Sequence, residues 1–141
     1  MPELDAREVV DAPRSTLWEV LCETIDHPDR FSETIGRVRV HRGGPSMVDR
    51  TMDVAWPHGE RSIRESIAID AGAGVVRCTL VDDPVYEGTT TLAIVDGSDG
   101  MVVTSAMRWV PRSGEEPGDG PDWAAQMRRF VRDVRAAAEA F

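Results

Sequence analysis

Lysine and asparagine are absent from the sequence, and tyrosine and cysteine are scarce, with one and two residues. All 16 basic residues are therefore arginines, and catalysis through a Schiff-base lysine is excluded. Cys22 and Cys78 lie far apart, each within a regular apolar pattern, which favours buried reduced thiols over a disulfide or a metal site. The three histidines are scattered, and neither metal-ligand spacings nor phosphate-binding glycine loops occur, so we expect no metal ion and no cofactor.

Basic residues are also fewer than acidic ones. The chain carries 16 basic and 25 acidic residues, for a formal net charge of -9, which disfavours binding to nucleic acid and to anionic membranes. No run of about eighteen apolar residues occurs, and the N-terminus lacks the basic and apolar regions of a signal peptide. We therefore expect a cytoplasmic protein without membrane insertion.

The length and the strand-like runs predict one domain, residues 1–141, with most of its chain in a sheet. Turn-rich segments such as 43–46 and 96–100 separate runs of alternating or β-branched residues, so consecutive strands are expected to form an antiparallel meander. The predicted strands are Leu4 to Val10, Ile35 to Arg42, Met47 to Val54, Ser62 to Asp70, Val75 to Val81, Glu87 to Val95 and Met101 to Val110.

Helical spacing of apolar residues predicts the remaining elements. Asp11-Ala12-Pro13 predicts a helix start with Asp11 as the capping side chain, and the helix continues to about Thr24. The segment DHPDRF ends it and predicts a second short helix near Asp29 to Thr34. From Pro121 onward, apolar residues at three- and four-residue steps predict a long amphipathic helix whose opposite face is rich in arginine.

The predicted order is that of an α+β helix-grip fold, in which a curved antiparallel sheet of about seven strands wraps a long C-terminal helix, with two short helices after the first strand. The sequence resembles the SRPBCC superfamily, which includes START domains, polyketide cyclases and plant pathogenesis-related allergens, and within it the AtaL-like branch. The resemblance spans nearly the whole chain and is carried by APRSTLWEVL, IDHPDRFSETI, DRTM, RSIRESIAID and DDPVYEGTTTLAIV.

This resemblance implies a deep cavity between the sheet and the long helix. Such cavities bind small hydrophobic or amphipathic molecules; some members of the superfamily catalyse cyclisation or dehydration in them, and others only carry a ligand. The resemblance brings no set of catalytic residues with it, so candidates have to come from the sequence itself.

Two charges lie where apolar residues are expected. Glu65 shares one face of its predicted strand with three isoleucines, and Arg50 shares one with two valines and a methionine. A hairpin turning about residues 57–59 places Arg50 opposite or diagonal to Glu65, with both charges directed into the cavity. Because an unpaired buried charge is costly, the two either form an ion pair that orders the sheet or contact a ligand or cavity water. In the same hairpin we interpret Trp56 as a lid over apolar surface and His58 as solvated.

Glu87 is a further candidate carboxylate. One interpretation places it at an exposed strand end; the other directs it inward with Thr89 and Thr91. In the second case Glu65 and Glu87 form a general base and a general acid, with Arg50 lowering the pKa of one of them. The candidate catalytic residues are therefore Glu65, Arg50 and Glu87.

The candidate ligand-binding residues are apolar, aromatic or hydroxyl side chains assigned to the cavity face. Simple core packing explains the strand from Met101 and about half of the helix positions equally well. The set comprises Trp56, Met52, Ile67, Cys78, Thr89, Met107, Trp109, Met127, Phe130 and Val134.

Three classes of function fit these observations. The first is a cofactor-independent cyclase or dehydratase acting on a polyketide-like or other amphipathic metabolite, and the second is a non-catalytic carrier or sensor of a hydrophobic ligand. A protein-interaction module is the third, but no exposed apolar stripe supports it. Inward charges favour the first class, although a carrier of a carboxylate or a phenol would also use Arg50. The sequence leaves the oligomeric state, monomer or homodimer, open.

Overall fold

The structure, a computed structural model, describes residues 3–57, 59–116 and 120–140. Its strands are β1 (Glu3–Val10), β2 (Ile35–Arg42), β3 (Met47–Trp56), β4 (Gly59–Asp70), β5 (Val75–Leu80), β6 (Tyr86–Gly97) and β7 (Gly100–Pro111). Its α-helices are α1 (Arg14–Asp26) and α2 (Trp123–Glu139).

All seven strands form one antiparallel sheet in the order β1-β7-β6-β5-β4-β3-β2. The strands from β2 to β7 are joined as consecutive hairpins, as the turn-rich segments predict, and β1 closes the far edge by pairing with β7. In the β3–β4 hairpin the last paired residues are Trp56 and Gly59. His58, which the sequence interpretation makes solvated, lies outside the described residues.

The segment between β1 and β2 differs from the prediction in two details. Asp11 does not cap α1: Pro13 is the N-cap, and the backbone N–H of Asp11 donates to Oε2 of Glu139 at 2.8 Å. The predicted second helix is wrong beyond a single 3-10 turn, Pro28–Arg30. The hydroxyls of Ser32 and Thr34 lie 2.9 Å apart, and such local side-chain bonds compete with helical backbone bonding.

Helix α2 covers the inner face of the sheet and packs against β1, β7 and α1. It begins after Asp122, whose Oδ1 accepts from the backbone N–H of Ala125 at 3.0 Å. Its buried residues recur at three- and four-residue steps and are Met127, Val131, Val134 and Ala138. A curved sheet gripping one long helix is the predicted helix-grip fold, which the structure confirms.

Gly88 allows β6 and β7 to approach each other closely opposite the cavity-facing Trp109. Gly88 pairs with Trp109 and has φ 141°, and an added Cβ would overlap with the carbonyl oxygen of Arg108. We expect Gly88→Ala to lower the free energy of unfolding by more than about 2 kcal/mol, measured by urea denaturation. Gly44→Ala is the control, because no atom lies within 4 Å of its added Cβ. Equal effects of the two substitutions would contradict this assignment.

Candidate functional site

The centre of the candidate site is a buried ion pair between neighbouring strands. Arg50 on β3 and Glu65 on β4 are direct partners in the sheet register, and Nη2 of Arg50 donates to Oε1 of Glu65 at 2.6 Å. Arg50 is 7% exposed and Glu65 3% exposed. The side-chain alternation of the two strands thus brings together the two charges that the sequence singles out.

Arg50 is also tied to the C-terminal end of α1. Its Nη1 donates to the backbone oxygens of Thr24 at 3.1 Å and Ile25 at 3.2 Å. These carbonyls lie in the last turn of the helix, where they lack intrahelical donors and where the helix dipole favours a cation. Burial is the largest single effect and lowers the pKa of Arg50, but the Glu65 carboxylate together with Cys78 and Asp26 outweighs it and raises that pKa above its ordinary value. Arg50 therefore remains charged.

A cavity of about 140 Å³ lies between the sheet, α2 and the segment that joins α1 to β2. Arg50 and Glu65 both contribute to its wall, which is otherwise mostly apolar. The apolar and aromatic lining residues include Met52, Val54, Ile63, Leu92, Met107, Trp109, Trp123, Met127 and Phe130.

The polar residues of the wall fall into two groups. Thr90 and Ser105 line the cavity on the sheet side. On the other side, half-buried Ser32, Thr34 and Gln126 lie where the cavity meets the protein surface, and Oγ1 of Thr34 donates to Oε1 of Gln126 at 3.4 Å. This second group joins the segment before β2 to α2 across the cavity edge.

An aromatic cluster closes the end of the cavity near the start of α2. Trp123 makes edge contacts with Trp109 and Trp56, with ring centroids 5.0 Å and 5.3 Å apart. Tyr86 packs on Trp109 at 5.4 Å, and the Arg61 guanidinium lies 4.4 Å from the centroid of the Trp56 ring. Trp56, one of the candidate ligand-binding residues, does not itself line the cavity, and its role as a lid over apolar surface stays a prediction.

Cys78 lines the cavity next to the ion pair and is not a nucleophile. Burial and the neighbouring Glu65 carboxylate raise the pKa of its thiol to about 12, against a smaller opposing effect of Arg50. Since the thiolate is the reactive form, a buried neutral thiol is inert at neutral pH.

The structure brings most of the predicted site residues to one cavity. Of the candidates, Arg50, Glu65, Met52, Cys78, Met107, Trp109, Met127 and Phe130 line it, whereas Glu87, Trp56, Ile67, Thr89 and Val134 do not. Ile67 and Val134 are completely buried in the larger apolar core, beyond the cavity. The core-packing alternative describes Val134, whereas Ile67, expected to line the cavity, packs in the core instead.

Glu87 and Thr89 lie on the outer face of β6, so of the two interpretations the exposed strand end describes Glu87, and Thr89 does not reach the cavity. The Glu87 side chain is 64% exposed, and its Oε2 lies 3.5 Å from Nη1 of Arg112. The strand begins at Tyr86, which is buried, and alternation from there directs Thr90 and Leu92 inward. A second carboxylate is therefore absent from the cavity wall that the structure describes.

Sequence reasoning missed several lining residues. Thr90 could have been found by starting the alternation at buried Tyr86, and Trp123 lies on the apolar face of α2. Ser32, Thr34 and Gln126 carry no sequence signal, because their approach depends on how the segment before β2 packs on α2.

The structure also bears on metal and membrane binding. Within residues 3–57, 59–116 and 120–140 no three histidine, cysteine or acidic side chains are grouped as a metal site requires. Among the helices of the same residues, neither is long and apolar enough to cross a membrane.

Comparison with known proteins yields structural matches only; the sequence matches no family model and no curated protein. The Zhui aromatase/cyclase from Streptomyces sp. R1128 superposes with a TM-score of 0.73 at 16% identity, covering 97% of this chain and 93% of that one. Ara h 8.0201 superposes with a TM-score of 0.65 at 15% identity, covering 97% of this chain and 94% of that one.

The di-domain aromatase/cyclase StfQ from the steffimycin biosynthetic pathway gives a TM-score of 0.79 at 15% identity, with 98% of this chain matched. The chain spans about half (51%) of that protein. At these identities the matches establish the fold alone, so the predicted helix-grip fold is confirmed. The AtaL-like assignment remains a prediction.

The first prediction of this site concerns the coupling between the two buried charges. Arg50→Met and Glu65→Leu should each lower the free energy of unfolding by about 3–5 kcal/mol, because each leaves the other charge buried and unpaired. The double variant should lose much less than the sum, as measured by a double-mutant cycle in urea. Arg42→Ala, which breaks the half-exposed pair with Asp26, should cost about 1 kcal/mol or less. Additive effects of the buried pair would contradict the coupling.

A second prediction concerns Cys78. In a Cys22→Ala background, iodoacetamide at pH 8 should leave Cys78 unmodified, because a thiol with pKa about 12 is ionised in about one molecule in ten thousand. Alkylation should become complete after unfolding in urea, with both states followed by mass spectrometry. Rapid alkylation of the folded protein would show that the thiol is accessible and ionised.

Proposed function

We propose that this protein binds a small amphipathic molecule in the cavity and holds its polar end against Glu65. The observation that carries this proposal is a carboxylate at the wall of a largely apolar cavity. Only Oε1 of Glu65 is engaged by Arg50; among the described residues, no hydrogen bond uses Oε2. A carboxylate oxygen left without a protein donor in such surroundings is suited to a ligand donor.

The finer form of the proposal is polyketide-cyclase-like or dehydratase-like chemistry on that ligand. Glu65 acts as the only general base, and Arg50 holds its carboxylate in place while remaining bound to the end of α1. The aromatase/cyclase names of the Zhui and StfQ proteins, which share this fold, support this form. The general acid would have to be water or the ligand itself, since Glu87 lies on the outer face.

A carrier or sensor without catalysis is the second candidate, and one observation favours it. Among the described residues the wall carries one carboxylate rather than two, and so offers no pair of carboxylates to act as general acid and general base. Binding alone needs only the apolar wall and one fixed acceptor.

The experiment is mass spectrometry of small molecules released by denaturing the purified protein. We expect the wild-type protein to release a molecule that Glu65→Gln retains at least about tenfold less, because a neutral amide is a weaker acceptor than a carboxylate. Glu87→Gln is the matched control, since it makes the same change on the outer face, and it should retain the wild-type amount. Circular dichroism establishes that both variants are folded.

The released molecule also separates the two candidates. Incubated afresh with the wild-type protein, it should be converted under the cyclase-like form and recovered unchanged under the carrier form. If folded Glu65→Gln protein retains as much of the molecule as Glu87→Gln protein does, Glu65 does not take part in binding.

A further inference from the structure

The size of the cavity limits its occupant. Its volume of about 140 Å³ is well below the roughly 300–1,000 Å³ of pockets that hold drug-sized molecules. A cavity of roughly 150 Å³ accommodates benzene. The available space therefore fits one six-membered ring with a small substituent and is too small to enclose a fused ring system.

Arg50 is not available to recognise a ligand anion. Its Nη1 is occupied by two backbone oxygens of α1 and its Nη2 by Glu65, while its Nε is enclosed by neighbouring atoms. The Glu65 carboxylate neutralises the guanidinium charge at 2.6 Å. A carboxylate ligand would therefore meet the charge of Glu65 without a free arginine donor to offset the repulsion.

Of the two buried charged groups, only Glu65 keeps an available atom, and that atom is an acceptor. Oε2 of Glu65 has no hydrogen-bond partner among the described residues and, unlike Arg50 Nε, is not among their enclosed unpartnered atoms. Since only about 4% of this side chain is exposed and the residue lines the cavity, Oε2 opens to the cavity. It accepts from a ligand O–H or N–H, and Met107 and Trp109 offer polarisable contacts to a ring beside it.

We infer that the cavity selects a neutral single-ring phenol, whose hydroxyl donates to Oε2 of Glu65 and whose ring packs on the apolar wall. This inference rests on the proposed function and specifies its ligand class. Three comparisons follow from it. Aromatic carboxylates are disfavoured by the charge of Glu65, fused-ring phenols by the small volume, and rings without a donor because they leave the carboxylate unsatisfied.

The test is isothermal titration of the full-length wild-type protein at pH 7 with phenol, toluene, benzoate and 2-naphthol. Phenol is neutral at this pH, because phenolic hydroxyls ionise near pH 10. We expect one phenol to bind per chain. Toluene should bind at least about tenfold more weakly, because it lacks the hydroxyl that donates a hydrogen bond to the charged acceptor. Benzoate and 2-naphthol should also bind at least about tenfold more weakly than phenol.

A pair of adjacent variants locates the site without disturbing the ion pair. Thr90→Leu enlarges a side chain that lines the cavity, whereas Thr89→Leu makes the same change on the outer face of β6. Thr90→Leu should weaken phenol binding by at least about tenfold and Thr89→Leu by less than about twofold. Urea denaturation shows whether each variant is folded under the conditions of the titration.

The outcomes separate this inference from the proposed function. Equal binding of toluene, stronger binding of benzoate or 2-naphthol, or the same affinity in both threonine variants would overturn the phenol inference. If no probe binds at millimolar concentration while the purified protein releases a larger molecule that depends on Glu65, the phenol inference fails and the proposed function stands. If no probe binds and nothing is released, both fail.

Discussion

The buried pair between Arg50 and Glu65 is the constraint on which the site depends. It joins β3 to β4 side by side, and through Nη1 of Arg50 it fixes the C-terminal end of α1 against the sheet. Removing either charge leaves the other without a partner in an apolar interior, where desolvation exceeds any packing gain. The position of α1, and with it one end of the cavity, therefore follows from two side chains on neighbouring strands.

The sequence was sufficient for the fold and for this pair. The alternation of apolar residues, the turn residues and the apolar face of α2 predict the order of strands and helices. The hairpin after Trp56 sets the register that places Arg50 opposite Glu65. The same reasoning failed on β6, because the run Gly88 to Thr91 contains no apolar residue to identify its inner face. The predicted alternation was displaced by one residue, so Thr89 was assigned to the cavity in place of Thr90.

Other features of the site depend on tertiary contacts that no local pattern contains. The hydroxyls between Arg30 and β2 favour a turn over the predicted helix, and that turn brings Thr34 to Gln126 of α2. The volume of the cavity is the space left after α2, this segment and the aromatic cluster around Trp123 have packed. Packing of distant segments sets such a volume, and composition does not reveal it.

A carboxylate on an apolar wall also determines how binding is selective. In the absence of a ligand, Oε2 of Glu65 requires a donor, and water is the donor that can reach it through the cavity. A purely apolar molecule that displaces this water loses its hydrogen bond, whereas a molecule with a suitably placed hydroxyl replaces it and buries its ring as well. In the proposed function, the charge that costs stability in the empty protein is also the feature that distinguishes one small ring from another.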